Sequence, residues 1–328
     1  MIVLSYSRCE KTTGGQNHEH FNESLSNESL LKEIAALKQE KNAVILAHYY
    51  VRPEVQSIAD YIGDSFYLSK VAASLEANTI VFAGVYFMGE SAKVLNTDKT
   101  VLLPDMNADC AMAHMASVET IQKMRAQYDD LAVVCYINST AELKQHSDVC
   151  VTSSNAVKIV KALPNKNIFF IPDRNLARYV AAQVPEKHFV YNEGYCPIHE
   201  QILMSELHEV KAAHPHALIL AHPECKKELL DEADYIGSTS GIIDFATQSD
   251  EKEFIICTEN GIRYALEQNN PNKQFYFTKT EPVCPDMKTV TLEKIRDVLK
   301  YGTNDVQVSD ELREESQKPL SRMLELGK

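Results

Sequence analysis

The chain has no Cys-x-x-Cys pair, no long basic run and no apolar run near the roughly 18 residues that cross a membrane. Each absence removes a class of function. Without a Cys-x-x-Cys pair there is no local metal knuckle and no vicinal dithiol motif. Without a basic run, and with a net charge of −13, no nucleic-acid partner is expected. Without a long apolar run there is no membrane-spanning helix to expect. The first residues show no charged, apolar, small-residue leader pattern. A chain of 328 residues builds its own core and needs no disulfide staples, so its eight cysteines are expected as thiols in a reducing cytoplasm.

What is present is a repeat. His48 is followed twelve residues on by Asp60 and then by Gly63-Asp64-Ser65; His222 is followed at the same distance by Asp234 and then by Gly237-Ser238-Thr239. A fainter copy lies between them, with Tyr136, Asp148 and Thr152-Ser153 in the same register. The anchors 48, 136 and 222 are 88 and 86 residues apart, and Cys110, Cys196 and Cys284 follow them at +62, +60 and +62. A period near 87 is too long for a stacked solenoid unit and suits a small domain. The chain is therefore expected to be α/β, with three homologous α/β/α lobes, short parallel sheets and an active site at the centre of a pseudo-threefold axis.

The expected divisions are a disordered N-terminal extension over 1–23, lobe 1 over 24–114, lobe 2 over 115–199 and lobe 3 over 200–287. Residues 288–328 are expected as helices that pack back on the lobes. Leu30, Ile34 and Leu37 lie at helical spacing, giving a helix over about 26–41. Ala43–Ala47 is a continuous apolar run, as in a parallel strand buried on both faces. Pro53 to Tyr61 reads as helix, Ser65 and Ser153 or Ser154 as helix openers, and about 199–213 as one helix. Alternating strands and helices place ligands at the carboxyl ends of the strands.

Each anchor carries a second polar residue two positions on: Tyr50 after His48, Asn138 after Tyr136, Glu224 after His222. On extended backbone such pairs face the same way and can address one ligand. Ser65, Ser153, Ser238 and Thr239 fall where helices begin, and helix N-termini favour anions. Capping of their own helices explains these hydroxyls too. His199, three after Cys196, is either a partner of that cysteine or a packing residue. Cys135, Cys150 and Cys257 sit in apolar strand runs and read as small buried hydrophobes. Cys110, Cys196 and Cys284, each past a strand and loop, can instead bring three thiolates together, for zinc or for an iron–sulfur cluster with one open iron.

At these residues the sequence resembles the quinolinate synthase family. The resemblance rests on His48-Tyr49-Tyr50, Gly63-Asp64-Ser65, Asp105-Met106-Asn107-Ala108-Asp109-Cys110, Tyr136-Ile137-Asn138-Ser139 and Gly194-Tyr195-Cys196-Pro197. It continues in His222-Pro223-Glu224-Cys225, Gly237-Ser238-Thr239-Ser240-Gly241 and Cys284-Pro285-Asp286-Met287. It implies three α/β/α lobes and condensation of iminoaspartate with dihydroxyacetone phosphate to quinolinate, with loss of phosphate and water. It further implies a 4Fe–4S cluster on Cys110, Cys196 and Cys284, with an open iron acting as Lewis acid. By the same resemblance Tyr50, Glu224 and His48 are catalytic, and His48, Ser65, Tyr136, Asn138, Ser153, His222, Ser238 and Thr239 bind substrate. A functional link to an L-aspartate oxidase or dehydrogenase is implied as well.

Members of that family often carry a Trp shortly before the second of these cysteines, where this chain has Tyr191 and Tyr195, and some carry a Cys pair near the last one that can form a regulatory disulfide, whereas no Cys follows Cys284 here. A Glu among anionic substrates is expected to titrate above its usual range. Two other readings of the three thiols remain: an iron–sulfur redox or iron sensor, and a zinc protein.

Overall fold

The computed structural model describes the backbone of residues 15–328 and the side chains of residues 27–328. Twelve strands form three four-stranded sheets. The first holds β1 (Ala43–His48), β2 (Tyr61–Gly63), β3 (Thr79–Ala83) and β4 (Thr100–Leu102) in the order β2-β1-β3-β4. The second holds β5 (Leu131–Tyr136), β6 (Val149–Val151), β7 (Asn167–Ile171) and β8 (His188–Tyr191) in the order β6-β5-β7-β8. The third holds β9 (Leu218–Ala221), β10 (Tyr235–Ile236), β11 (Glu253–Cys257) and β12 (Gln274–Tyr276) in the order β10-β9-β11-β12. Every pairing is parallel. The three sheets share one topology, and the α/β fold with three lobes stands as expected.

Register confirms the repeat at the level of single residues. Leu46 pairs with Tyr61, Val134 with Val149 and Leu220 with Tyr235, so equivalent strands meet at equivalent positions. Both faces of each sheet are covered. In the third sheet Leu220, Phe254 and Ile256 pack into one apolar layer, while Ile219, Ala221, Ile255 and Cys257 pack into another. That alternation is the period of two along a strand, and with apolar residues on both faces the run reads as continuous.

The repeated aspartates have a structural task. Asp60 Oδ2 accepts from Ile45 N at 2.7 Å, Asp148 Oδ2 from Val133 N at 2.7 Å, and Asp234 Oδ2 from Ile219 N at 2.8 Å. The backbone N–H of each aspartate returns the bond to the carbonyl of the same residue, at 2.9 Å in all three lobes. Each aspartate thus pins the lead-in of a short edge strand to the central strand beside it. Asp60 and Asp148 have cationic neighbours in Lys38 and Arg125, whereas among the described residues no ion pair joins Asp234. Asp234→Ala is therefore the cleanest test. It leaves a buried strand N–H unpaired and is expected to lower stability by about 1–3 kcal/mol, read as a shift of the urea midpoint with an unchanged slope.

Several local expectations change. The first helix, Gly15–Glu40, begins earlier than residue 26, because no Pro or Gly interrupts the run after Gly15; residues 1–14 lie outside the described residues. The helix expected from Pro53 to Tyr61 stops at Ile58, with Ala59 extended, and Tyr61–Gly63 is β2. Two or three residues cannot show a two-residue alternation, so β2, β6 and β10 carry no periodic signal. The helix expected over 199–213 is two, Pro197–Glu200 and Met204–Ala213. The closing helix Leu292–Tyr301 packs on the first helix and on β3, and Asp310–Leu326 packs on helices Tyr86–Leu95 and Ala141–Gln145 and on β6.

Candidate active site

One cavity of about 230 Å³ receives residues from all three lobes, in the size range of a small metabolite rather than a dinucleotide. His48, Tyr50, Ser65, Tyr136, Asn138, Ser153, His222, Glu224, Thr239, Cys110, Cys196 and Cys284 all line it. The anchors arrive from the carboxyl ends of β1, β5 and β9, the central strands of the sheets, as the parallel topology requires. Ser238 is the exception. Its Oγ accepts from Gly241 N at 3.2 Å and caps the helix Thr239–Gln248, which turns it away from the cavity while Thr239 faces in.

The other two hydroxyl positions differ from the simple helix-end expectation. Asp64, not Ser65, caps the helix Ser65–Ser74 by accepting from Tyr67 N at 3.0 Å, so the Ser65 hydroxyl is not spent on capping. Ser153 lies in a turn before the helix Ala156–Ala162, whose flanking residue is Asn155. Asn138 offers a ligand-seeking atom: its Oδ1 is buried and has no partner among the described residues. A buried acceptor left unpaired costs free energy that a ligand N–H or O–H can recover.

The two histidine anchors are held alike. His48 Nδ1 accepts from Tyr50 N at 3.1 Å and His222 Nδ1 accepts from Glu224 N at 3.3 Å. Each neutral ring therefore carries its proton on Nε2 and acts as a donor there. Burial pushes both imidazoles down to about 3, and in His48 the nearby His222 and Lys288 push the same way. A histidine that is neutral when folded and titrates near 6.5 when unfolded stabilises the fold above pH 6.5. That contribution falls away as pH drops from 6.5 towards 3. His48→Gln is accordingly expected to flatten the dependence of Tm on pH across that window, measured on the metal-free protein.

A hydrogen-bonded chain crosses the cavity wall. Tyr50 Oη lies 2.9 Å from Thr239 Oγ1 and 2.8 Å from Thr258 Oγ1; Thr258 Oγ1 lies 2.9 Å from His199 Nε2. His199 Nδ1 then meets Glu224 Oε2 at 2.7 Å and Cys196 Sγ at 3.2 Å. Burial and the Glu224 charge push the Tyr50 hydroxyl well above its usual range, so it stays protonated and can donate. The protein's own groups push Glu224 the other way from the rise expected among anionic substrates. Burial alone favours the acid form, but the His199 ring and the hydrogen bonds from His199 and Tyr136 outweigh it and hold the carboxyl at about 2. Glu224 is thus an ionised carboxylate that can accept hydrogen bonds from neutral donors at this wall.

Sequence reasoning left His199 undecided and did not find Thr258, Glu259 or Asp173. Glu259 Oε1 accepts from Cys284 N at 2.9 Å, and Asp173 Oδ2 accepts from Cys196 N at 3.1 Å. Both carboxylates are fully buried, and a lone acid in an ordinary loop gives no signal of that.

The donor set fits a metal centre. Seven cysteines are free among the described residues, and three of them share this cavity. Burial pushes Cys110 up to about 12 and Cys284 to about 11, and each feels a neighbour: Cys284 raises Cys110, and Cys110 raises Cys196. Three thiols lining one cavity would ionise together only against a cation, so they suit a metal centre as a donor set. Cys196 Sγ, His199 and Glu224 also offer donor atoms within 4.8 Å of one another, a mixed set.

Among the described residues no helix is long and apolar enough to cross a membrane. Residues 32–325 match the family model described as quinolinate synthetase A protein. A quinolinate synthase of Fusobacterium nucleatum is 54% identical over 294 residues, covering 90% of this chain and 98% of that one. Those of Clostridioides difficile and Caldicellulosiruptor bescii are 51% and 50% identical, covering 91% and 92% of this chain and 98% and 99% of theirs. With the family model spanning nearly all the described chain and relatives matched end to end, this chain belongs to the quinolinate synthase family.

Proposed function

We propose that this enzyme condenses iminoaspartate with dihydroxyacetone phosphate to quinolinate, releasing phosphate and water. The observation that carries the reading is the meeting of three thiols and the Tyr50–Thr258–His199–Glu224 chain in one cavity. Cys110, Cys196 and Cys284 would hold a 4Fe–4S cluster. When bound by three thiolates, such a cluster supplies an open iron that acts as a Lewis acid on a substrate carboxylate or nitrogen.

The chain's own residues supply the rest. His48 and His222 donate from Nε2, and Asn138 Oδ1 accepts, so carboxylate and amine ends of a substrate are told apart by donor and acceptor. Ser65, Ser153 and Thr239 offer hydroxyls to oxyanions, with Ser65 and Thr239 at helix starts where the dipole favours negative charge. Tyr136 lines the same wall as a neutral hydroxyl, since burial and Glu224 push it well above its usual range. Glu224 takes a substrate proton, His199 holds it in orientation, and the Tyr50 hydroxyl delivers a proton to a departing oxygen. Ser238 serves by fixing Thr239. Free thiols throughout the described chain suit a cytoplasmic setting, and an L-aspartate oxidase or dehydrogenase is the expected source of the imine.

The lobes would divide near 24–114, 115–199 and 200–287, each with one sheet and one cysteine that lines the cavity. A zinc site on Cys196, His199 and Glu224 is the second reading, favoured by their mutual closeness. Metal analysis separates the two: anaerobically prepared protein is expected to be brown, with about four iron and four sulfide per chain, against a colourless protein with one zinc. Tyr50→Phe separates an enzyme from a sensor. It is expected to keep its iron and lose at least about 10²-fold in kcat; a sensor has no turnover to lose.

A further inference from the structure

Two buried carboxylates stand at equivalent positions behind two of the three cysteines. Asp173 follows the end of β7 by two residues, and Glu259 follows the end of β11 by two. Sheet register makes the places equivalent: Cys135 pairs with Ile171 and Ala221 with Cys257, as Ala47 pairs with Ala83 in lobe 1. The third such place is Val85, so 85, 173 and 259 repeat the 88- and 86-residue spacing of the anchors. In lobe 1, where the Val85 side chain has no oxygen to offer, Asp109 Oδ1 accepts from Cys110 N at 2.7 Å.

We propose that Asp173 and Glu259 are positioning residues for the metal ligands Cys196 and Cys284, built into the repeat and replaced in lobe 1 by Asp109. This rests on the cluster reading given above. The chemistry favours a carboxylate over an amide, because both oxygens of each acid are used as acceptors. Asp173 Oδ1 takes Leu176 N at 2.8 Å while Oδ2 takes Cys196 N at 3.1 Å. Glu259 Oε2 takes Gly261 N at 2.7 Å, while Oε1 takes Cys284 N at 2.9 Å and Lys288 Nζ at 2.9 Å. An amide of the same shape must turn its NH2 against one of these N–H donors. Each acid therefore locks a cysteine's backbone to the start of the preceding loop, and the thiol is aimed before any metal arrives. Preorganised ligands hold a metal longer, as outer partners of metal ligands generally do.

Lys288 adds a second link in lobe 3. It lies four residues after Cys284, neutralises Glu259 and also donates to the Tyr50 carbonyl at 2.5 Å. The ligand loop of lobe 3 is thereby tied to the backbone of Tyr50 in lobe 1.

The test compares Asp173→Asn and Glu259→Gln with wild type and with Val85→Ala as the control from the lobe that lacks the acid. Iron and sulfide are counted after anaerobic reconstitution, cluster loss is timed against an iron chelator, and Tm of the metal-free protein is recorded. The amide variants are expected to lose cluster at least about fivefold faster than wild type and to show altered EPR line shapes on reduction. Val85→Ala is expected to lose it at the wild-type rate. Amide variants with wild-type loss rates and spectra overturn the proposal. So does a Val85→Ala protein that sheds its cluster as fast as they do, since mere loosening of the wall then explains all three. If an amide variant fails to fold, Asp173→Glu and Glu259→Asp keep both acceptors at altered reach, and wild-type cluster lifetimes in those proteins also overturn it. Wild-type protein that assembles no cluster defeats the underlying reading instead, and that result is visible before any variant is made.

Discussion

Glu224→Gln protein is expected to bind iron as wild type does and to turn over about 10²–10⁴-fold more slowly, the usual cost of losing a positioned base. The expectation follows from the charge state. His199 Nδ1 at 2.7 Å and a hydrogen bond from Tyr136 hold the carboxyl at about 2, so it is ionised throughout the neutral range and carries no proton of its own. An amide keeps the shape and removes the charge. The effect should fall on kcat more than on KM, because His48, Asn138 and the hydroxyls that hold substrate remain. Anaerobic assays with quinolinate quantified directly, alongside iron counts, give the measurement. Wild-type kcat in a cluster-loaded Glu224→Gln protein would falsify the assignment of Glu224 as the base.

Cys284→Ala is expected to reduce iron from about four per chain to less than one and to abolish turnover. Two thiolates cannot hold a cluster whose third corner has become a methyl group. Cys150→Ala provides the contrast. That thiol is fully buried in β6, paired in register with Cys135, and belongs to the apolar core. Its loss is expected to cost stability, on the order of 1 kcal/mol, and to leave iron binding intact. Equal iron loss in both variants would sink the distinction between cavity thiols and strand thiols.

Much of this site was legible because it was written three times. His48, Tyr136 and His222 agree in spacing with Asp60, Asp148 and Asp234, and a match across three copies carries information that no single residue does. The same agreement picked Cys110, Cys196 and Cys284 from eight cysteines, although their separations resemble no local metal motif. The aspartates used to recognise the register proved to be strand pins, so part of the sequence signal for the site is a signal for the fold. What stayed hidden lacked repetition. Thr258 corresponds to Pro172 and Gly84, and Glu259 to Asp173 and Val85, so neither slot reads as a repeat by identity. Ser238 and Ser65 both look like cap residues, yet Ser238 caps and Ser65 leaves that task to Asp64; the choice depends on backbone geometry one residue to either side. The Glu224 carboxyl moved down rather than up because His199 reaches it from the next helix turn after Cys196, a neighbour that only the folded chain supplies.

The strand pins bear on how the molecule comes together. Each joins residues only fifteen apart in sequence, so loop closure is inexpensive and each strand–crossover–strand unit can form on its own. The cavity needs the ends of all three sheets, and it therefore exists only after the lobes have docked. Whatever group the chamber takes up is, on this ordering, cargo for a finished site, delivered late to a protein already folded.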